Sequence, residues 1–155
     1  IHHSSNYDRW QGYLAALKCA GIPVDEQLIR LGSTRSSWGA LAANELLALE
    51  DKPTALYAAS NAIMAGVMKT LYQHKVIIPG QLSLICFDDL DWFSFSSPPI
   101  TAIAISHERI AEAAVELLLQ RIHENKPSER KPIEIQVNFD LIIRGSTAPP
   151  ARKTS

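Results

Sequence analysis

The run Leu82-Ser83-Leu84-Ile85-Cys86-Phe87-Asp88-Asp89 (LSLICFDD) decides how this chain folds. Six residues, apolar but for one serine, lead straight into two adjacent carboxylates. A continuous apolar run of this length marks a strand covered on both faces, as in a parallel sheet. The two acids then stand where the strand leaves the sheet, on the rim where open α/β folds bind ligands. Three aromatics follow, Trp92, Phe93 and Phe95, and then Pro98-Pro99. Proline holds the backbone extended, so the pair leads the chain into a further strand over residues 100–105.

Working outward, residues 54–59 (TALYAA) read as another buried strand. Ser60-Asn61 caps the helix that follows, with Ile63, Met64, Val67 and Leu71 on its inner face. Before Pro53, the residues Trp38, Leu41, Ala42, Leu46 and Leu49 mark a helix capped by Ser36 or Ser37. Residues 28–31 are a short strand candidate closed by Gly32. The first helix carries Trp10, Tyr13, Leu14 and Leu17 on one face. Ser5 and Asp8 resemble a capping box, and Gly21-Ile22-Pro23 ends the helix. Downstream, Ser106 caps a helix with Ile110, Ala114, Leu117 and Leu118 inward. Residues 125–132 form a polar loop, 133–137 and 141–144 are final strands, and the tail after Gly145 is frayed.

Strands alternating with helices indicate an α/β fold built on a mostly parallel sheet. Three polar clusters fall at strand ends: Ser33-Thr34-Arg35, Ser60-Asn61 and Asp88-Asp89. The chain opens on a helix, so a piece of the sheet is expected to be missing. The opening IHHSSN, without Met, reads as a cut end.

The totals narrow the function classes. The chain has 155 residues, enough for one domain with a real core, and 46% of them are hydrophobic. A formal net charge of -1 gives no field that draws nucleic acid or an acidic membrane. No apolar run nears the roughly 20 residues of a membrane span. Cys19 and Cys86 read as buried free thiols of a reducing, cytoplasmic compartment. The five histidines lack ligand spacing, so no metal and no cofactor are expected.

In order along the chain, these residues resemble the LacI/GalR family of bacterial transcriptional regulators. The resemblance starts at Arg9-Trp10-Gln11-Gly12-Tyr13, Ala16-Leu17 and Gly21-Ile22, and continues through Gly32, Trp38-Gly39 and Pro53-Thr54-Ala55. Ala59-Ser60-Asn61, Met64-Ala65-Gly66, Ile78-Pro79 and residues 82–89 come next. Pro98-Pro99-Ile100-Thr101 and Arg144-Gly145-Ser146-Thr147 close it. The resemblance implies a doubly wound, type I periplasmic-binding-protein-like fold, here truncated. Residues 1–147 would be part of an effector-binding and dimerisation domain, mainly its C-terminal subdomain. The helix at 106–122 would belong to the N-terminal subdomain, and 148–155 would be a frayed tail.

It also implies partners: a small sugar-like effector, a second copy in a homodimer, and operator DNA reached through a helix-turn-helix domain that this chain lacks. Arg9 would reach the effector with its planar fork; a surface arginine is the alternative. Asp88 would accept bonds from ligand hydroxyls, with a helix cap as the alternative, a role that suits Asp89 better. Ser60 and Thr34 complete the implied ligand set. Ser60 replaces the family's usual asparagine, Asn61 its usual aspartate, and Thr34 an aromatic of some sugar-sensing members. Trp92, Phe93, Phe95 and Ala65 would lie at the dimer contact; core packing is the alternative for each ring. Alone, the chain is expected to bind effector weakly or not at all.

Two other readings share the pattern. One is a solute-binding protein of a sugar transporter. The other is an enzyme in which Asp88, Asp89 and Asp91 hold Mg²⁺, although the sequence has no glycine-rich phosphate loop and no G-x-S-x-G elbow.

Overall fold

The structure, a computed structural model, describes residues 4–123 and 132–150. Four strands form one sheet: β1 (Ala55–Ala58), β2 (Ser83–Phe87), β3 (Thr101–Ile105) and β4 (Phe139–Ile142). Their order in the sheet is β1-β2-β3-β4. β1, β2 and β3 run parallel, and β4 is antiparallel to β3. The helices are α1 (Ser4–Cys19), α2 (Ser36–Leu47), α3 (Asn61–Gln73), α4 (Asp91–Phe95) and α5 (His107–His123), with a single 3-10 turn at Glu26–Leu28.

The apolar run around Leu84 behaves as its composition demands. Leu84 and Cys86 are fully buried, and they share a core with Leu56, Ala58 and Ala102 of the neighbouring strands. Met64, Val67 and Leu71 of α3 cover this face, as do Ala43 and Leu46 of α2. The two helices pack against each other without intervening side chains at two glycines. A Cβ on Gly39 would collide with the Ile63 carbonyl, and one on Gly66 with the Ser36 carbonyl. Buried Thr70 ties the pair by donating to the Ala40 carbonyl at 3.2 Å.

Downstream of β4 the chain is pinned into the sheet, not frayed. Ser146 is fully buried. Its Oγ donates to the Leu84 carbonyl at 2.7 Å and accepts from the Thr101 N–H at 2.8 Å. Its own carbonyl accepts from the Leu84 N–H. Ala148 exchanges two 3.1 Å bonds with the Ser83 hydroxyl. The frayed-tail expectation is therefore wrong through Ala148, and residues 151–155 lie outside the described part, as does most of the expected 125–132 loop.

Other expectations need correction. Residues 28–31 form no strand: they end the 3-10 turn and face β1 across an open cavity, so no ladder holds them. Residues 133–137 are not a strand either, and Ile133 and Ile135 are about half exposed. Helix α5 buries none of its side chains, and Leu118, expected inward, is 58% exposed. Ser5 lies inside α1, so no boundary falls there. The N-cap of α2 is Arg35, without a side-chain bond, and neither Ser36 nor Ser37 fills that role. Ser106 does cap α5, accepting from the Arg109 N–H. Cys86 is buried, but Cys19 is exposed near the end of α1, on the helix's solvent side.

Ser146→Ala strands two backbone groups at the centre of the sheet. The loss expected is about 1–3 kcal/mol, read as a lower urea midpoint at unchanged m-value.

Candidate functional site

The carboxyl ends of β1, β2 and β3 open onto one rim, and their connections supply its polar groups. After β1, Ser60 has extended backbone (φ -160°, ψ 159°), and its hydroxyl accepts from the Ile63 N–H at 3.4 Å. Ser60 is thus the N-cap of α3. Asn61 is the first helical residue instead, and its side chain donates across the rim to Asp88 Oδ2 at 3.3 Å. After β2, Asp88 takes a left-handed conformation with φ +72°. Aspartate tolerates this region better than most residues, and strained positions of this kind gather at functional sites. The Asp88 N–H is held by the Ile103 carbonyl at 3.1 Å.

Arg9 reaches the same rim from α1. Its guanidinium donates to the Ala59 carbonyl at 2.7 Å, and its Cζ lies 3.5 Å from the centroid of the Phe87 ring. The aromatic face and the carbonyl hold a cation next to the strand end that carries Asp88. Both charges are felt by the same neighbours. Burial raises the Tyr57 phenol pKa; Arg9 pulls it down and Asp88 pushes it up. Burial, with Asp88 and Asp89 adding to it, pushes the Cys86 thiol up to about 12, against a smaller pull from Arg9.

Asp89 has a different role from the one expected. It caps no helix, because the N-cap of α4 is Leu90, without a side-chain bond. Asp89 instead accepts two bonds from the Arg144 guanidinium, at 2.7 and 2.6 Å, with both side chains largely buried. The pairing raises the Arg144 pKa. Arg144 also donates to the Ile100 carbonyl at 2.7 Å, so the pair fastens the turn after β2 to the start of β3 and the segment after β4. Among the described residues, no group of three His, Cys, Asp or Glu side chains is placed to hold a metal ion.

The remaining expected residues scatter. Thr34 sits in the exposed loop before α2, on the cavity that Arg9 and Tyr57 also line. Phe93 has 0% exposure and packs in the chain's own core, edge-on to Trp92 with centroids 4.5 Å apart. A residue with no accessible surface cannot touch a second copy, so for Phe93 the core alternative holds. Phe95 is 76% exposed, Ala65 is exposed and Trp92 is half-buried. Three contributors escaped the sequence reading: Phe87 beneath Arg9, the Asn61 bond to Asp88, and the Asp89–Arg144 pair. Only the last left a signal, an arginine directly before Gly145 and an acid pair in want of a counter-charge.

The thiol shift makes a pH prediction. The folded pKa of Cys86 lies above the ordinary thiol value of 9.0. Below pH 9 its contribution to stability is complete. As pH rises from 9 toward 12, the unfolded chain ionises this thiol and the folded chain does not, so stability falls. Urea titrations across that window are expected to show a shallower alkaline loss for Cys86→Ala than for the parent, whatever their offset at neutral pH.

The chain as a whole has counterparts among known proteins. Residues 2–147 match the family described as a periplasmic binding protein-like domain. The HTH-type transcriptional repressor PurR of Actinobacillus pleuropneumoniae serotype 3 (strain JL03) is 32% identical over 139 residues, which are 90% of this chain and 41% of the relative. The HTH-type transcriptional repressor CytR of Escherichia coli (strain K12) is 34% identical over 139 residues, 90% of this chain and 40% of the relative. Among solved structures, a sugar-binding transcriptional regulator of the LacI family from Escherichia coli, complexed with phosphate, superposes with a TM-score of 0.79 at 28% identity. The match covers 97% of this chain and 52% of that one. The chain spans about two-fifths of the length of the curated relatives it matches.

Proposed function

This chain belongs to the periplasmic binding protein-like domain family, and from that premise we propose that it is the effector-sensing part of a LacI/GalR-type transcriptional regulator. The observation that carries the reading is the rim itself. Arg9 of α1 lies against the Ala59 carbonyl and the Phe87 ring, and the Asn61–Asp88 pair lies at the same carboxyl ends of β1 and β2. A fork of donors beside an acceptor carboxylate suits a small polyhydroxylated molecule, with Arg9 donating to ligand oxygens and Asp88 accepting from hydroxyls. Ser60 contributes less, because its hydroxyl already caps α3. Thr34 borders the site without stacking capacity.

The regulator reading is favoured over a transporter's solute-binding protein because both curated relatives are repressors. It is favoured over an enzyme because Asp89 is committed to Arg144. The whole regulator works as a cytoplasmic homodimer that grips operator DNA through a helix-turn-helix domain, and this chain senses without catalysing. No helix among the described residues is long and apolar enough to cross a membrane. Phe95, at the end of α4, and Ala65, within α3, are both exposed and suit the contact with a second copy. The uncovered apolar face of α5 suits a helix that packs into another subdomain. Effector bound between the subdomains shifts their angle, with a coupling of about 1–3 kcal/mol.

One lip of a cleft binds weakly. At roughly 10 mM, the right ligand class is expected to raise the melting temperature of this chain by a few degrees. The screen covers mono- and disaccharides, sugar phosphates and purines, and Arg9→Ala and Asp88→Ala each abolish the shift. A shift that survives both substitutions contradicts the proposal.

A further inference from the structure

The alternation of β2 decides which of its side chains meets the rim's cation. Leu84 and Cys86 lie fully buried in the core that α2 and α3 cover. Successive side chains of a strand point to opposite faces, so Ile85 and Phe87 face the other way. That is the side where Arg9 and Trp10 of α1 lie. Phe87 is the last residue of β2 and is half-buried. Ala58 pairs with Cys86, and one step further along both strands sets Ala59 beside Phe87. The Ala59 carbonyl and the Phe87 ring are therefore neighbours at the strand ends. Arg9 touches both, with a 2.7 Å bond to the carbonyl and its Cζ 3.5 Å from the ring centroid.

The two contacts restrain different freedoms. The carbonyl holds one N–H of the guanidinium and lets its plane turn about that bond. The ring face attracts the whole delocalised cation through its quadrupole. An aliphatic side chain of similar size gives Arg9 a wall without that attraction. Arginine carries large side-chain entropy, and a fork that is already ordered loses less of it when a ligand binds.

We propose that Phe87 is a positioning residue of the rim: its π face, rather than its bulk, orders the Arg9 guanidinium for the ligand. The proposal rests on the reading of Arg9 as a ligand contact and names what holds that contact in place. Phe87 itself acts through Arg9 and needs no contact with the ligand.

The surroundings of the ring allow its chemistry to be separated from its size. Phe87 also lines a cavity of about 470 Å³ with Ile105, Ile110 and Leu117. That space takes up the extra atoms of an indole, so a larger aromatic fits at this position. Tryptophan is the strongest cation–π partner of the aromatic side chains. Leucine keeps an apolar side chain and removes the face; tyrosine and tryptophan keep the face.

The test follows the Arg9 Nε–Hε resonance of the isotope-labelled 155-residue protein by NMR, without ligand. Arg9→Lys assigns the signal by removing it. In the parent, the Arg9 Hε signal is expected upfield of the other arginines through the ring current of Phe87, and the Nε order parameter is expected to be that of a rigid group. Phe87→Tyr and Phe87→Trp keep both signatures. Phe87→Leu loses the upfield displacement, and the order parameter falls below about 0.6, the flexible range. Urea melts of all variants separate this loss from a general loss of stability, because the tyrosine and tryptophan variants restore Arg9 order whatever their midpoints. Two outcomes overturn the proposal. One is an Arg9 signal in the parent that shows no ring-current displacement. The other is an Arg9 order parameter that is the same in Phe87→Leu as in the parent. Because no ligand is added, such a failure removes the role of Phe87 and leaves the ligand-binding reading of the rim to the melting-temperature screen.

Discussion

The burial of β2 between two parallel neighbours is the constraint on which the rest depends. Leu84 and Cys86 have no accessible surface, and every β2 backbone group that faces a neighbour must find its partner on β1, on β3 or on the Ser146 segment. That requirement fixes where β2 ends. It therefore fixes where Asp88 leaves the sheet, level with the turn after β1 that carries Asn61. Helices α2 and α3 seal one face closely enough that two glycines are needed at their contact. The other face is covered less completely, as the half-buried Tyr57, Ile85 and Phe87 indicate.

The two adjacent carboxylates divide the work between ligand and fold. Asp89 lies in a largely buried two-bond pair with Arg144. A pair of this kind holds geometry because removing one partner leaves an uncompensated charge. Asp88, one residue earlier, has left-handed backbone and a single long bond from Asn61. It keeps acceptor capacity toward the rim. Arg9 is held against a carbonyl and an aromatic face at the same rim.

Much of the fold was legible in the sequence, for identifiable reasons. The strands at β1, β2 and β3 carry continuous apolar runs whose ends the structure reproduces to within a residue or so, and the start of α5 was marked by Ser106. What failed were elements whose meaning depends on a neighbour. Residues 28–31 and 133–137 have strand-like composition, but a strand exists only where a ladder forms, and neither stretch has one here. The inward face assigned to α5 buries none of its residues; Ile110, Ala114 and Leu117 line an open cavity with Ile133, Ile135 and Val137. At the site, the rim positions of Asp88 and Asn61 followed from strand ends. The ring under Arg9 and the Asp89–Arg144 pair depend on contacts over 50 residues apart in sequence, which no local pattern encodes. Phe93 was misjudged because an aromatic in a turn gives no sign of which way it points.

The central claim is that α1 and the ends of β1 and β2 form one ligand-binding lip. Amide chemical-shift mapping of the 155-residue protein, titrated with the ligand class that stabilises it, tests this most directly. The account predicts that Arg9, Ala59, Asn61 and Asp88 move together along one saturable curve. Shifts at Asp88 with Arg9 unmoved, or shifts confined to α5 and β4, would contradict it.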